Sequence, residues 1–190
     1  MATEKLLMER IVLAAERRGW SVDFGEGSCG KYAEFECHTP SGGDFLFDIR
    51  YENAASMVKA VREYAEKFDR EEYVTDCLIA KRNGVKGIPY FRTLIDDAEE
   101  IWWMLLQLAV AVEKMADDSW YKVIDERKAD EIFSMLDERG LAHPVGRFIY
   151  QADGVFVGID NSAGKAWVEE FQTEAECLWW LSGIEETDNH

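Results

Sequence analysis

The sequence predicts an α+β protein of two small domains, each a three-stranded antiparallel meander flanked by helices, with a long apolar helix joining them. Three observations lead there. Apolar residues recur at helical spacing in some segments and alternate with polar residues in others. The tracts between the alternating segments are short and turn-rich, as antiparallel hairpins require. The run from Ile101 to Val112 is apolar apart from one Gln, yet falls well short of the roughly 20 residues that cross a bilayer.

In chain order, Thr3 caps a helix that runs to Arg18 and stops at Gly19, with Leu6, Leu7, Arg10, Ile11, Ala14 and Ala15 in one stripe. Trp20, Val22 and Phe24 then alternate inward, followed by Ala33, Phe35 and Cys37, and by Phe45, Phe47, Ile49 and Tyr51. Asn53 caps a helix carrying Met57, Val58, Val61, Tyr64, Ala65 and Phe68 on one face. Asp69 with Glu72 opens a further helix, closed by Gly84. The long helix runs from about Phe91 to Met115 and is apolar nearly all round, so it must be covered on several sides, either between the two halves or in a homodimer interface.

Asp117-Asp118-Ser119 marks the expected junction, dividing the chain into residues 1–118 and 119–190. The second part starts with a strand from Trp120 to Ile124 and a helix from Asp125 to Arg139 that turns Ile132, Phe133, Met135 and Leu136 inward. Strands over residues 147–151, 155–159 and 166–171 follow, turned by Asp153-Gly154 and by Asn161-Ser162-Ala163-Gly164. Thr173 and Glu176 form a capping box for a last helix, and the tail from Glu185 to His190 is polar.

Lys and Arg number 21 against 38 Asp and Glu, a net charge of −17. Residues 1–118 carry 15 basic and 23 acidic side chains and residues 119–190 carry 6 and 15, so the excess is spread over both halves. Such a surface repels nucleic acid and anionic membrane and attracts basic proteins. The four cysteines form no Cys-x-x-Cys pair and the three histidines do not cluster, so no metal or cofactor motif is present. With no leader-like segment at the start, reduced thiols and a cytoplasmic location are expected.

Alternation names the candidate surface. If Ala33, Phe35 and Cys37 point inward, Tyr32, Glu34, Glu36 and His38 point out, joined by Ser21, Asp23, Leu46, Asp48 and Arg50. Asp23, Glu34, Glu36 and Asp48 would then share one face with a single Arg, and like charges across strands oppose pairing by a fraction of a kcal/mol each. A solvated sheet face is the ordinary alternative, and a carboxylate metal site for a small hydrolase is another. A second acidic group, Asp96, Asp97, Glu99 and Glu100, lies on the long helix beside Trp102 and Trp103, which are candidates for an oligomer or adaptor interface. Gly25-x-Gly27-x-x-Gly30 matches a dinucleotide-binding string but stands between two strands, so it reads as a hairpin loop. The tryptophans have acidic neighbours, which argues for packing rather than base stacking.

Two stretches carry a resemblance. Thr39-Pro40-Ser41-Gly42-Gly43-Asp44-Phe45, running on to Tyr51-Glu52-Asn53-Ala54, is one. The other is Gly154-Val155-Phe156-Val157-Gly158-Ile159-Asp160-Asn161, running through Gly164-Lys165-Ala166-Trp167-Val168-Glu169-Glu170-Phe171. They resemble segments of small acidic accessory proteins of bacterial phages and conjugative elements, a group that includes antirestriction and anti-CRISPR inhibitors. The likeness spans about a quarter of the chain and involves no catalytic motif. It implies a non-enzymatic inhibitor or interaction protein acting on a basic nucleic-acid-handling partner, such as a CRISPR effector or restriction nuclease. Those proteins hold nucleic acid in positively charged channels, which a carboxylate-bearing protein can occupy as a DNA mimic. A charge of −17 matches in count about eight base pairs of DNA.

Overall fold

A computed structural model describes residues 3–28, 30–135 and 140–184 of the chain. Cys29, Leu136 and the tail from Glu185 to His190 lie outside them. The described residues up to Leu13 and from Lys114 onward form one compact unit, and those from Ala14 to Glu113 form another.

Alternation builds the sheet of the Ala14–Glu113 unit. β1 (Ser21–Gly27), β2 (Gly30–His38) and β3 (Asp44–Arg50) pair antiparallel in that order. The register sets Ala33 opposite Ile49, Phe35 opposite Phe47 and Cys37 opposite Phe45, so all six line one face and are buried. Phe35 stacks on Phe47 at 5.0 Å, and Phe47 stacks in turn on Tyr64 of α2 (Ala54–Lys67) at 4.2 Å. α2 lays Met57, Val61 and Ala65 into this core. Its start is fixed by a reciprocal box: Ser56 N–H donates to Asn53 Oδ1, and Asn53 N–H donates to Ser56 Oγ. β1 departs from expectation at Phe24, which has inward parity yet stays 47% exposed and meets Tyr51 edge-on. The glycine string is a hairpin end, with β1 and β2 paired out to Gly27 opposite Gly30.

Asp69 opens α3 (Arg70–Arg82) by accepting from the Glu71 and Glu72 N–H groups. Val74 of α3 packs with Leu94 and Ala98 of α4 (Phe91–Ala116). In α4 the buried positions Leu94, Ala98, Ile101, Leu105, Leu108 and Val112 follow the 3.6-residue period. Ile95, Trp103 and Val110 fall off that stripe and are 47%, 51% and 58% exposed. The apolar composition runs round the helix further than its burial does.

The other unit corrects the expected meander. β5 (Gly146–Ala152), β6 (Val155–Asn161) and β7 (Trp167–Phe171) are antiparallel neighbours, but β4 (Lys122–Val123) pairs parallel with β5 and makes a four-stranded mixed sheet. The reason is α5 (Glu126–Ser134), a helical crossover that returns the chain in the direction it left. Asp153 and Gly154 turn β5 into β6 with φ of 49° and 85°, the left-handed pair that a two-residue hairpin needs. Phe148 and Ile159 face α5 through Ala129 and Ile132. On β6 a Cβ at Gly158 would press to 3.0 Å from Cys177 Sγ and 3.1 Å from the Trp180 ring of α6 (Glu174–Ser182), so glycine eases that close approach. Thr173 and Glu176 form the expected box at the start of α6. Phe133 and Met135, expected inward, are 42% and 55% exposed, because α5 ends at Ser134 and buries only its Ala129 and Ile132 side. Among the described residues no helix is long and apolar enough to cross a membrane.

Candidate functional site

Register turns the predicted outer face into a row. Asp23 lies opposite Glu34, and Glu34 lies opposite Asp48, so three carboxylates cross β1, β2 and β3 in a line. Glu36 occupies the next row along β2, between Ser21 and Leu46. In the row on the other side, Tyr32 stands between Gly25 and Arg50. The Tyr32 ring lies directly over Gly25, where a Cβ would come within 2.2 Å of it. Asp23 and Asp48 are exposed and Glu34 and Glu36 half-buried. Among the described residues none of the four forms an ion pair with a lysine or arginine. A shallow hollow of about 300 Å³ opens beside the row, lined in part by Tyr32, Glu34, Asp48 and Arg50. At the far end of β2, His38 Nδ1 lies 2.8 Å from Asp44 Oδ1, with both side chains exposed.

The carboxylates run side by side rather than converge. Among the described residues no group of three or more His, Cys, Asp or Glu side chains is arranged to hold a metal ion, which leaves the hydrolase reading without geometric support. Thiol chemistry finds no support either. Burial, with the charge of Glu36, pushes the Cys37 thiol up to about 12, and burial with Glu174 does the same at Cys177.

The acidic group on α4 divides. Asp97 is 2% exposed and points into the fold, where it accepts from Ser41 N–H at 3.1 Å and Ser41 Oγ at 2.6 Å, pinning the β2–β3 turn. This carboxylate is structural. Glu99 is held by Arg70 at 2.5 Å, and the Arg70 guanidinium also covers the Trp102 ring at 4.6 Å. Asp96 and Glu100 remain on the surface. Trp102 is therefore partly covered, while Trp103 is exposed.

A second charged centre was not anticipated. Arg10 lies in the apolar stripe of α1 (Glu4–Glu16) and is 1% exposed. Its Nη1 donates to Asp118 Oδ1 at 2.7 Å, and its Nη2 donates to Glu174 Oε1 at 2.6 Å and to the Tyr121 hydroxyl at 3.0 Å. The Tyr121 hydroxyl in turn donates to Asp118 Oδ1 at 2.8 Å. Burial alone would lower the Arg10 pKa, but the bonds to Asp118 and Glu174 outweigh it and the pKa is raised. Burial, followed by Asp118, pushes the Tyr121 phenol up to about 12. The only advance signal was an arginine among leucines, isoleucine and alanines; its partners lie 108 and 164 residues away.

These groups close one end of a cavity of about 520 Å³, whose walls include Leu6, Val123, Ile149 and Phe156. Arg10 thus bridges two carboxylates, Asp118 and Glu174. The buried Arg10 Nε takes no hydrogen-bond partner among the described residues. No protein-family model, curated protein or solved structure matches this chain.

Proposed function

We propose that this chain is a non-enzymatic acidic protein of a mobile genetic element. It binds a basic nucleic-acid-handling protein, such as a CRISPR effector or restriction nuclease, in competition with nucleic acid. The reading rests on the Asp23–Glu34–Asp48 row, three neighbouring carboxylates that form no ion pair with a lysine or arginine among the described residues. Neighbouring strands repeat at about 4.8 Å, against one phosphate per roughly 3.4 Å of axis along a DNA strand. The row is thus a line of charge of comparable density on a rigid sheet, suited to a cationic groove as a partial DNA mimic. On this reading two small domains, joined by the long helix, present acidic surface to one partner in the cytoplasm.

The test is displacement. The protein should release a labelled duplex from such a nuclease with an affinity that falls steeply as salt rises, and the triple reversal Asp23→Lys, Glu34→Lys, Asp48→Lys should weaken it about 100-fold or more at low salt. Release unaffected by salt or by the reversal would end the proposal.

A second reading has its own observation. Trp103 and Val110, seven residues apart and so on one face of α4, are both more than half exposed. They suit an oligomer or adaptor interface. Sedimentation should then show a concentration-dependent dimer that Trp103→Lys abolishes; a monomer at all concentrations would rule this out.

A further inference from the structure

We infer that a pocket between α2 and α3 receives a single arginine side chain of a bound protein. It lies wholly within the Ala14–Glu113 unit and has a volume of about 260 Å³. That is below the roughly 300–1,000 Å³ of small-molecule sites, and suits one side chain rather than a whole ligand. Its walls are aromatic. Phe45 is buried, and Tyr64, Phe68 and Tyr73 are half-buried beside it. Phe68 and Tyr73 meet Phe45 edge-on at 5.7 and 6.0 Å and each other at 6.0 Å, so the rings are set in different directions around the pocket.

The rim is acidic. Asp69, Glu72 and Asp76 line it at helical spacing, all three are exposed, and none forms an ion pair among the described residues. Lys67 is the one basic side chain in the lining, and its Nζ lies 3.5 Å from Glu63 Oε2, one turn back along α2. Even with Lys67 set against one of them, the rim carboxylates remain in excess. The start of α3 offers no anion site in exchange, because Asp69 already accepts from the Glu71 and Glu72 N–H groups. Rings and carboxylates together select the occupant. A guanidinium is flat and weakly hydrated, stacks on aromatic faces and donates in pairs to a carboxylate. An ammonium is a compact charge that must shed a tighter water shell against the rings. An anion would meet the rim carboxylates, and a neutral side chain would gain only the rings.

The source of that arginine rests on the basic partner proposed above, but the pocket is tested without one, so each can fail alone. The full chain is titrated at low salt with Nα-acetyl-arginine methylamide, its neutral citrulline isostere and the lysine equivalent, and read by ligand-observed NMR. The arginine compound should bind saturably, about tenfold or more tighter than the citrulline compound and about threefold or more tighter than the lysine one. The Glu72 and Asp76 side chains make no hydrogen bond among the described residues, so the double variant Glu72→Gln, Asp76→Asn folds as wild type. It should cost the arginine compound about tenfold in affinity. Butylguanidinium separates the sources, since binding about tenfold tighter than the arginine compound would identify a free guanidine compound and overturn the protein source. The inference is also overturned if the arginine compound does not saturate, if the citrulline or lysine compound matches it, or if the double variant leaves its affinity unchanged.

Discussion

The fold treats carboxylates on the outer face of the first sheet and carboxylates around Arg10 in opposite ways. Asp23, Glu34 and Asp48 stand side by side without a basic partner among the described residues and face solvent, where their mutual repulsion is small. Asp118 and Glu174 converge on a guanidinium that is almost wholly buried, together with a tyrosine hydroxyl. A charge removed from water must be paired and hydrogen-bonded or it destabilises the fold. The first arrangement is tolerated and leaves charge available to a partner. The second is required for stability and spends its charge internally.

Substitution should separate the two regions by magnitude. Arg10→Met leaves Asp118 and Glu174 facing one another around an apolar side chain, and should cost about 3–5 kcal/mol in urea unfolding. A loss below about 1 kcal/mol would place the Arg10 network among ordinary surface pairs and dissolve the contrast. Asp97→Ala tests the intermediate case, an acidic residue that looked like part of a surface group but is buried. It removes two charge-assisted bonds to Ser41 and should cost about 1.5–3 kcal/mol while leaving partner binding unchanged.

Alkaline pH provides a smaller and graded test. Cys37 and Cys177 ordinarily titrate near 9 and Tyr121 near 10, but burial raises all three to about 12 in the folded protein. The unfolded chain therefore releases these protons first. Their contribution is fully present below about pH 9 and is lost as pH rises toward 12. Urea midpoints under reducing conditions should fall steadily between pH 9 and pH 11. A flat profile would mean that these groups are not shielded from water.

How far the sequence spoke depended on range. Strict alternation in Ala33–Cys37 and Phe45–Ile49 was enough to place the inner and outer faces of the first sheet, because side-chain direction in a strand has period two. The Asp153-Gly154 turn was equally local. The alignment of Asp23, Glu34 and Asp48 in one row needed the register, which alternation alone leaves open by steps of two residues. The parallel partner of Lys122–Val123 was hidden, since a two-residue strand has no pattern and its neighbour lies beyond a helix. Asp97 was legible in principle. It stands three residues after Leu94 and four before Ile101, both on the buried stripe of α4, and so in phase with the core. Arg10 was visible as an oddity in an apolar stripe, but nothing local connects it to Asp118 or Glu174.

The most direct test of the central claim is a competition titration. A labelled duplex is bound to a basic restriction nuclease or CRISPR effector, and its release by this protein is followed across a salt series. The wild-type chain is compared with the triple reversal Asp23→Lys, Glu34→Lys, Asp48→Lys, whose urea midpoint should stay close to wild type. The carboxylate row predicts release that weakens steeply with salt and falls about 100-fold or more in the reversed chain. Equal release by both proteins, at every salt concentration, would contradict it.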